Sequence, residues 1–296
     1  MTDTVDVLLP YFGDPALFRA AVRSVQEQEH ENWRLIILDD AYPSEEPMAW
    51  ATSLQDPRIM YVRNQENLGA NRNFKKALGM AESPVVVMMG ADDVMLSGYL
   101  KSVTGALAAY PVASVVQPGV QVIDGNGRRT WTLTDAVKRL TRPGLLRTVH
   151  TISGETMACS LLHSGWHYFP SLAWRRDTIQ LHGFNPEYDV VQDLALLLDI
   201  AAGGGSLLIV KDVVFQYRRH KASDSSVRAV DGRRFAEERR FFRNEARRFR
   251  ALGWTHASRA AKLHWTSRLH ALVVLIRGTR DVDRRTASML ARHVIA

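Results

Sequence analysis

The chain has 296 residues, a formal charge of +7, 46% hydrophobic and 23% charged residues, which is ordinary for a globular protein and allows one large α/β domain with an appendage. The charge is uneven: residues 228–296 carry 17 Lys or Arg against 6 Asp or Glu, whereas residues 1–227 carry 21 against 25. A basic tail attracts anionic surfaces, but no zinc-ligand spacing or RNA-binding aromatic signature accompanies it, so nucleic acid is not an expected partner.

Features of secretion and membrane insertion are missing from the sequence. The single cysteine, Cys159, excludes an internal disulfide and fits a reducing compartment. Met1 to Asp6 has no basic region typical of a signal peptide. The apolar run from Ala271 to Ile276 is far short of the roughly 20 residues that span a bilayer. We therefore expect a cytoplasmic protein.

The first hundred residues alternate between strand and helix patterns. Val5–Leu9 is a short apolar strand, and Asp14-Pro15 has the form of a helix N-cap followed by a first-turn proline. Val85–Met89 is apolar throughout, as in a strand buried on both faces. Strands separated by helices predict a parallel sheet with right-handed crossovers. Further predictions are strands at Arg34–Leu38 and Arg58–Val62, a turn at Asn67–Gly69 and a helix at Asn71–Met80.

The remainder of the chain is less regular. Asp124–Gly127 predicts a hairpin turn, and residues 128–150 show no clear pattern, so we expect a mobile loop there. After Asp231 the pattern is Arg-rich and helical. We place a boundary near residue 225, between an α/β domain at 1–225 and a basic helical extension at 226–296. Also predicted are a helix at Gln192–Ala202 and two short strands at Leu207–Val210 and Val213–Tyr217.

Two acidic pairs follow predicted strands. Asp39-Asp40 and Asp92-Asp93 each lie at the carboxyl end of a strand, where ligands bind in open parallel sheets. Two such pairs would repel each other unless a cation lay between them. Mg²⁺ and Mn²⁺ prefer carboxylate oxygens together with substrate phosphates, so the pairs indicate a metal-bound diphosphate. Helix capping or turn formation is the alternative role for each Asp.

Several stretches resemble the bacterial family 2 glycosyltransferases of the GT-A fold, in the order and spacing of that family. They are DVLLPYF at 6–12, SVQEQ at 24–28, LIILDD at 35–40, ENLGANRN at 66–73 and MMGADD at 88–93, with weaker matches QDL at 192–194 and YRRH at 217–220. The resemblance implies a Rossmann-like, mostly parallel sheet flanked by helices. It also implies a nucleotide-sugar-binding half at 1–100 and an acceptor half at 101–225.

The activity that this resemblance implies is metal-dependent sugar transfer with inversion. The donor would be a nucleoside-diphosphate sugar, and the acceptor a hydroxyl of a sugar or lipid-linked glycan. Such a reaction belongs to cell-envelope polysaccharide or glycoconjugate biosynthesis. A dinucleotide oxidoreductase and a nucleotidyltransferase are excluded, because LPYFG at 9–13 contains neither a glycine fingerprint nor a Gly-rich, Lys-bearing phosphate loop.

The resemblance assigns the donor-side residues. Pro10 and Tyr11, after the first strand, would line the base pocket, and Asp40 would contact the nucleobase. Asn67 and Arg72 would lie on the nucleotide-sugar side, where a guanidinium matches the oxygens of a diphosphate. An ordinary helix-surface Arg is the alternative for Arg72.

The resemblance also assigns a metal site for Mn²⁺ or Mg²⁺. Asp92 and Asp93 would serve the ribose and the metal. His220 would be a further metal ligand or a phosphate contact, with a surface histidine as the alternative. Gly90 stands where the family often has its first Asp. A catalytically degenerate, sugar-nucleotide-binding scaffold is therefore the alternative function.

Two features point to the acceptor side. Asp193 matches the acidic residue that family members carry at the start of a helix, which implies a catalytic base; a first-turn acid complementing the helix dipole is the alternative. Leu162–Arg176 contains Trp166, Tyr168 and Trp174, whose rings could stack on a sugar. Packing of these rings in the core is the alternative.

The tail combines an aromatic face with many arginines. Phe235, Phe242, Phe249 and Leu252 recur at helical spacing. Such a helix fits docking of the aromatic face on the acidic catalytic domain. It also fits contact with an anionic membrane, at the inner face of the plasma membrane. The sequence leaves both interpretations open.

Overall fold

One nine-stranded sheet runs through the described part of the chain, and helices cover both of its faces. The computed structural model describes residues 4–144, 147–219, 233–277 and 284–295. The strands are β1 (Val5–Tyr11), β2 (Trp33–Asp39), β3 (Ile59–Arg63), β4 (Val85–Met88), β5 (Val94–Met95), β6 (Val115–Ile123), β7 (Val149–Ser153), β8 (Ala173–Arg175) and β9 (Ser206–Arg218). The helices are α1 (Pro15–Gln26), α2 (Glu46–Ser53), α3 (Ala70–Gly79), α4 (Tyr99–Ala109), α5 (Leu133–Thr141), α6 (Gly154–Ser164), α7 (Arg176–His182), α8 (Gln192–Ala202), α9 (Arg233–Ala251), α10 (Thr255–Leu263), α11 (Trp265–Arg277) and α12 (Arg284–Ile295).

The sheet is mostly parallel, as predicted. Its strand order is β3-β2-β1-β4-β8-β6-β9-β5, with β7 paired to β9. β1 to β4 run parallel, β8 is antiparallel to both β4 and β6, and β6 is parallel to β9. The carboxyl ends of β1, β2, β4, β6 and β9 therefore meet at one edge of the sheet.

Alternate residues of the central strands enter two different cores. Leu8 of β1 packs in the core formed with α6 and α8, whereas Val7 and Leu9 pack in the core formed with α1 and α4. β4 divides in the same way, with Val86 and Val87 on opposite faces. Burial on both faces explains why these strands are apolar without alternation.

The segment expected to be a mobile loop at 128–150 contains regular structure, so that prediction is wrong. α5 begins after Thr132, whose hydroxyl accepts a hydrogen bond from the Asp135 N–H (3.2 Å), while the Asp135 carboxylate accepts one from the Thr132 N–H (3.2 Å). This reciprocal pair is a capping box. β7 follows and pairs with β9, a partner more than 50 residues away.

The two short strands predicted at 207–210 and 213–217 are one continuous strand, β9. Its pairing with β6 shifts register around Gly119. A Cβ on Gly119 would lie 2.5 Å from the Lys211 carbonyl oxygen and 2.7 Å from that of Asp212. Glycine therefore permits the close approach that lets β9 continue past the irregularity.

The tail docks on the α/β domain by its aromatic face, which confirms the first of the two interpretations. Phe242 and Phe249 are buried in the core that contains α6 and α8, and Phe235 is buried against Ala271 and Leu290. Leu252, the fourth residue of the predicted stripe, is 51% exposed. The predicted boundary near 225 lies outside the described residues. Among the described helices, we find no apolar stretch of the length that a bilayer crossing demands.

Removal of the Phe249 ring tests the contribution of this docking to stability. The ring is buried and stacks on Trp254 with centroids 5.4 Å apart. We expect Phe249→Ala to lower the free energy of unfolding by about 3–5 kcal/mol in urea denaturation. The control, Leu252→Ala, should change it by less than about 0.5 kcal/mol. Equal effects of the two substitutions would show that the aromatic face does not carry the docking.

Candidate active site

Asp40 fixes the turn between β3 and α3. Its buried carboxylate accepts hydrogen bonds from the backbone N–H groups of Leu68 (2.8 Å) and Gly69 (2.9 Å) and from the Asn64 side chain (2.8 Å). Asn67 is exposed, and its side chain accepts a bond from the same Gly69 N–H (3.1 Å). The implied contact of Asp40 with a nucleobase stays a prediction, beside this structural role.

Two asparagines that the sequence analysis passed over complete the network around Asp40. Asn64 donates to the Asn73 side chain (2.9 Å), and Asn73 donates to the Leu38 carbonyl (3.0 Å). Both asparagines are buried, so each bond satisfies a group that has no access to water. The network begins α3 at the carboxyl edge of the sheet and places Arg72 in its first turn, exposed to solvent.

Pro10 and Tyr11 are the last two residues of β1, and both are buried. The Tyr11 hydroxyl donates to the Gly13 carbonyl (3.0 Å), and its ring packs on Phe18 at 4.2 Å between centroids. The Tyr11 ring has no exposed surface in this conformation, and Pro10 is enclosed in the same strand end. The base pocket that the resemblance implied for these two residues stays a prediction. The exposed aromatic residue there is Phe12.

Asp92 and Asp93 lie between β4 and β5, with their carboxylates directed to one point. An added Cβ on Gly90 would lie 2.5 Å from Asp93 Oδ2 and 3.1 Å from Asp92 Oδ1. Asp93 is only 1% exposed, and its Oδ1 accepts the backbone N–H of Arg218 (2.8 Å). For its buried Oδ2, the described residues provide no hydrogen-bond donor. A side chain at position 90 would collide with Asp93, so Gly90 is part of this arrangement.

The two carboxylates fit a divalent cation. Burial, and secondly the charge of Asp92, hold the pKa of Asp93 well above its ordinary range, against the weaker opposing effects of the Arg218 N–H and charge. A cation beside Gly90 would offset this cost, and two carboxylate oxygens plus substrate phosphates are an ordinary Mg²⁺ or Mn²⁺ ligand set. In the described ranges no group of three His, Cys, Asp or Glu side chains could hold a metal. His220 lies outside the described residues.

Asp193 is the second residue of α8 and pairs with a histidine. Its Oδ2 lies 3.1 Å from His167 Nε2, and its Oδ1 accepts the Leu194 N–H (2.8 Å). Burial by itself raises the pKa of Asp193, but the charge and hydrogen bond of His167, with the Leu194 N–H and the Lys138 charge, outweigh it and lower the pKa. The side chain is 28% exposed. Asp193 is therefore an accessible carboxylate at neutral pH.

The tail helix α9 supports the start of α8. Glu237 Oε1 accepts hydrogen bonds from three consecutive backbone N–H groups that precede α8, those of Asp189 (3.1 Å), Val190 (2.7 Å) and Val191 (3.1 Å). Sequence analysis missed both Glu237 and His167, because neither lies near Asp193 in the chain. For His167 the available signal was its place in the aromatic segment 162–176.

The structure divides the three aromatic candidates for an acceptor platform. Trp166 and Trp174 are buried, which favours core packing for both rings, although Trp166 also lines a cavity between β6, α5 and β9. The acceptor role of the two rings stays a prediction. Tyr168 is partly exposed; its hydroxyl donates to Asp135 (3.0 Å), and Lys138 Nζ lies 4.4 Å from its ring centroid. An acceptor contact by Tyr168 stays a prediction.

Residues of the YRRH segment connect the Asp93 side of the site with the Asp193 side. The Tyr217 ring lies 5.2 Å from that of Tyr168 between centroids. Arg219 forms an ion pair with the buried carboxylate of Asp135 (2.6 Å). Together with the bond from Arg218 to Asp93, these contacts form a chain of neighbouring side chains from the carboxylate pair toward the Asp193 region.

The family of the chain follows from its sequence. The model of glycosyl transferase family 2 matches residues 6–178, which is more than half of the chain. The protein therefore belongs to glycosyl transferase family 2.

Individual relatives and solved structures agree with this assignment. A segment of 101 residues is 32% identical to the GalNAc(5)-diNAcBac-PP-undecaprenol β-1,3-glucosyltransferase of Campylobacter jejuni, covering 33% of this chain and 32% of that protein. The matches span about a third of the length of the curated relatives.

Two solved structures share the fold over nearly the whole chain. Staphylococcus aureus TarS 1–349 in complex with UDP-GlcNAc is similar with a TM-score of 0.70 at 11% identity, covering 98% of this chain and 79% of that one. The Pyrobaculum calidifontis mannosyltransferase PcManGT, in complex with GDP-Man and Mn²⁺, is similar with a TM-score of 0.60 at 18% identity, covering 100% and 80%. The predicted GT-A fold is confirmed.

Proposed function

We propose that the protein transfers a sugar from a nucleoside-diphosphate sugar to an acceptor hydroxyl, with inversion at the anomeric carbon and dependence on Mn²⁺ or Mg²⁺. The observation that carries this proposal is the convergence of the Asp92 and Asp93 carboxylates at the carboxyl edge of a parallel sheet, where ligands of such sheets bind. The nucleotide sugars in the TarS and PcManGT complexes, and the Mn²⁺ in the latter, support this class of donor.

The donor side would be formed by groups at the ends of β2 and β4. Asp92 and Asp93 would hold the cation, and Asp92 would also lie near the ribose. Arg72, exposed in the first turn of α3, would bind phosphate oxygens with its guanidinium. When bound, the cation offsets negative charge that grows on the departing diphosphate.

Asp193 is the proposed base. Its carboxylate is deprotonated at neutral pH, because its pKa is lowered, and His167 and the Leu194 N–H orient both oxygens. In the reaction, the acceptor oxygen forms a bond to the anomeric carbon while the bond to the diphosphate breaks. The hydroxyl proton passes to Asp193, and attack on the face opposite the leaving group inverts the anomeric configuration.

A degenerate, sugar-nucleotide-binding scaffold is the alternative, suggested by Gly90. The structure favours the enzyme, because Gly90 leaves the space into which the Asp92 and Asp93 oxygens are directed. A buried carboxylate without a counter-ion is costly, and a cation site gives that arrangement a function.

The Campylobacter relative is named for a glycan linked to undecaprenol. This name supports a sugar or lipid-linked glycan as the acceptor class and cell-envelope glycan synthesis as the setting of the reaction. We further propose contact with the inner face of an anionic membrane. The docked Phe residues of α9 are not available for it, but Trp265, Leu269 and Leu272 form an exposed apolar stripe on α11 at i, i+4 and i+7. Exposed Arg259 and Lys262 lie just before that stripe, and this combination is typical of interfacial helices.

Removal of the Asp93 charge tests the metal-dependent donor site. Calorimetry with uridine, thymidine, guanosine and cytidine diphosphates should show tighter binding to the wild type in Mn²⁺ than in chelator. Asp93→Asn keeps the shape and the oxygen that accepts the Arg218 N–H, yet should abolish that difference. The control, Asp177→Asn, changes an exposed carboxylate and should leave it intact. Absence of binding by all four nucleotides would contradict the proposal.

Asp193→Asn tests the base separately from donor binding. The amide is nearly isosteric but cannot accept the proton, so we expect turnover to fall by about 10²-fold or more, with donor affinity near that of the wild type. Asp199→Asn, on the same helix, is the matched control and should retain turnover. Near-normal turnover of Asp193→Asn would assign Asp193 to helix capping.

Vesicle flotation tests the membrane contact. The protein should float with phosphatidylglycerol vesicles, stay in the soluble fraction with phosphatidylcholine vesicles, and dissociate as salt is added, because exposed charges are screened over about 8 Å at physiological ionic strength. Trp265→Ser with Leu269→Ser should reduce flotation, whereas Leu252→Ser, at an exposed position just after α9, should not. If the protein stays in the soluble fraction to the same extent with both vesicle types at low salt, the proposed membrane contact of α11 is contradicted.

A further inference from the structure

A cavity of about 370 Å³ lies beside the Asp193 region, between β6, α5 and β9. We call it the basic cavity, because six cationic side chains line it: Arg129, Lys138, Arg139, Arg142, Arg147 and Lys211. Its size is within the range of small-molecule sites. Neither the family relationship nor the donor site accounts for it.

The acidic group in the lining does not neutralise these cations. Asp135 lines the basic cavity, but its carboxylate is buried and accepts hydrogen bonds from the Arg219 guanidinium (2.6 Å), the Tyr168 hydroxyl (3.0 Å) and the Thr132 hydroxyl (2.6 Å). Asp135 is thus already paired with Arg219, a seventh cation. The positive charge of the lining is left in excess.

The lining cations instead contact carbonyl oxygens and aromatic rings. Arg142 donates to the Val210 carbonyl (2.7 Å). Arg129 and Arg139 lie 5.4 and 5.5 Å from the ring centroid of Trp131. These contacts do not cancel the charge of the guanidinium groups. The geometry of a guanidinium group matches the oxygens of a phosphoryl group.

Lys138 joins the basic cavity to the proposed base. Its Nζ donates to the His167 carbonyl (2.7 Å), and His167 Nε2 contacts Asp193. Burial, and secondly the charge of Arg219, lower the pKa of Lys138 to about 8, while Asp193 and Asp135 act in the opposite direction. An ammonium group in such surroundings gains from a bound anion.

We propose that the basic cavity is an acceptor subsite that binds a phosphoryl group, a phosphate ester or diphosphate, carried by the acceptor. Its place in the reaction rests on the proposed function, because the acceptor hydroxyl has to reach Asp193. Six lining cations exceed what one carboxylate would neutralise, which favours a multiply charged phosphoryl group over an acidic sugar. A cleft lined by charges of one sign also attracts an oppositely charged ligand, because it focuses the electric field.

Calorimetry with inorganic pyrophosphate, in chelator and without nucleotide, tests the subsite directly. Wild-type protein should bind pyrophosphate, with an affinity that falls as NaCl is added. Arg129→Gln with Arg139→Gln should weaken it by about 10-fold or more, because bonds to charged groups are lost. The matched control is Arg23→Gln with Arg128→Gln, which removes the same charge from exposed positions outside the basic cavity. Lys211→Gln, at an exposed position of β9, is a second cavity variant whose folding is not at risk.

The outcomes separate this proposal from the proposed function. Pyrophosphate affinity that is the same in the cavity variants and the control would overturn the subsite. Tighter binding of glucuronate than of pyrophosphate would overturn the phosphoryl assignment. Nucleoside diphosphates with Mn²⁺ are titrated into the wild type in parallel. If the nucleoside diphosphates fail to bind while pyrophosphate binds through Arg129 and Arg139, the proposed donor site is contradicted and the proposed anion site is supported.

Titration with sulfate, whose charge is constant, adds a pH test. Lys138 is faced by Arg219, Arg234, Asp135 and Asp193. Because Lys138 loses its charge as pH rises through about 8, sulfate affinity of the wild type should fall between pH 7 and pH 9. Lys138→Met should remove that step. A step of equal size in Lys138→Met would overturn the assignment of Lys138 to the anion site.

Discussion

Burial of the central strands on both faces is the constraint from which the site follows. Strands β1, β2 and β4 lie between two apolar cores, so polar groups at their carboxyl ends have no access to water from above or below. Buried hydrogen-bonding groups need partners, and here side chains supply them. Asp40, Asn64 and Asn73 connect the end of β2 to the turn before α3. The bonds that satisfy the polar groups at the end of β2 also bring the first turn of α3 to the carboxyl edge of the sheet.

The carboxylate pair after β4 differs from Asp40 in its hydrogen bonding. Asp93 is enclosed as fully as Asp40, yet only one of its oxygens has a donor in the described part of the chain. A hydrogen-bonded network stabilises the fold at Asp40, whereas at Asp93 the fold retains a group that is costly without a ligand. Two strand ends that are alike in position thus differ in how far the described residues satisfy their buried carboxylates.

Much of this could be predicted from the sequence, and the limits have physical causes. Local periodicity and caps identified β1 to β4 and α1, α3 and α8, and the acidic pairs marked the carboxyl edge of the sheet, because these signals extend over a few neighbouring residues. β7 and the continuous β9 depend on pairings between distant segments. The burial of Trp174 and the contact of His167 with Asp193 depend on packing that composition does not encode. Glu237 was missed for the same reason: its contacts are with a distant segment, and the surrounding sequence of α9 is dominated by arginines.

The three backbone bonds that Glu237 accepts connect the tail with the helix that carries the proposed base. α9 is held against the segment that begins α8, and α8 carries Asp193. Energetic coupling between two sites is reciprocal. An acceptor that orders the start of α8 would therefore strengthen the attachment of the tail by the same free energy with which the attached tail favours that acceptor. If the acceptor orders the start of α8, release of α9 would lower acceptor affinity without altering a residue that touches the substrate.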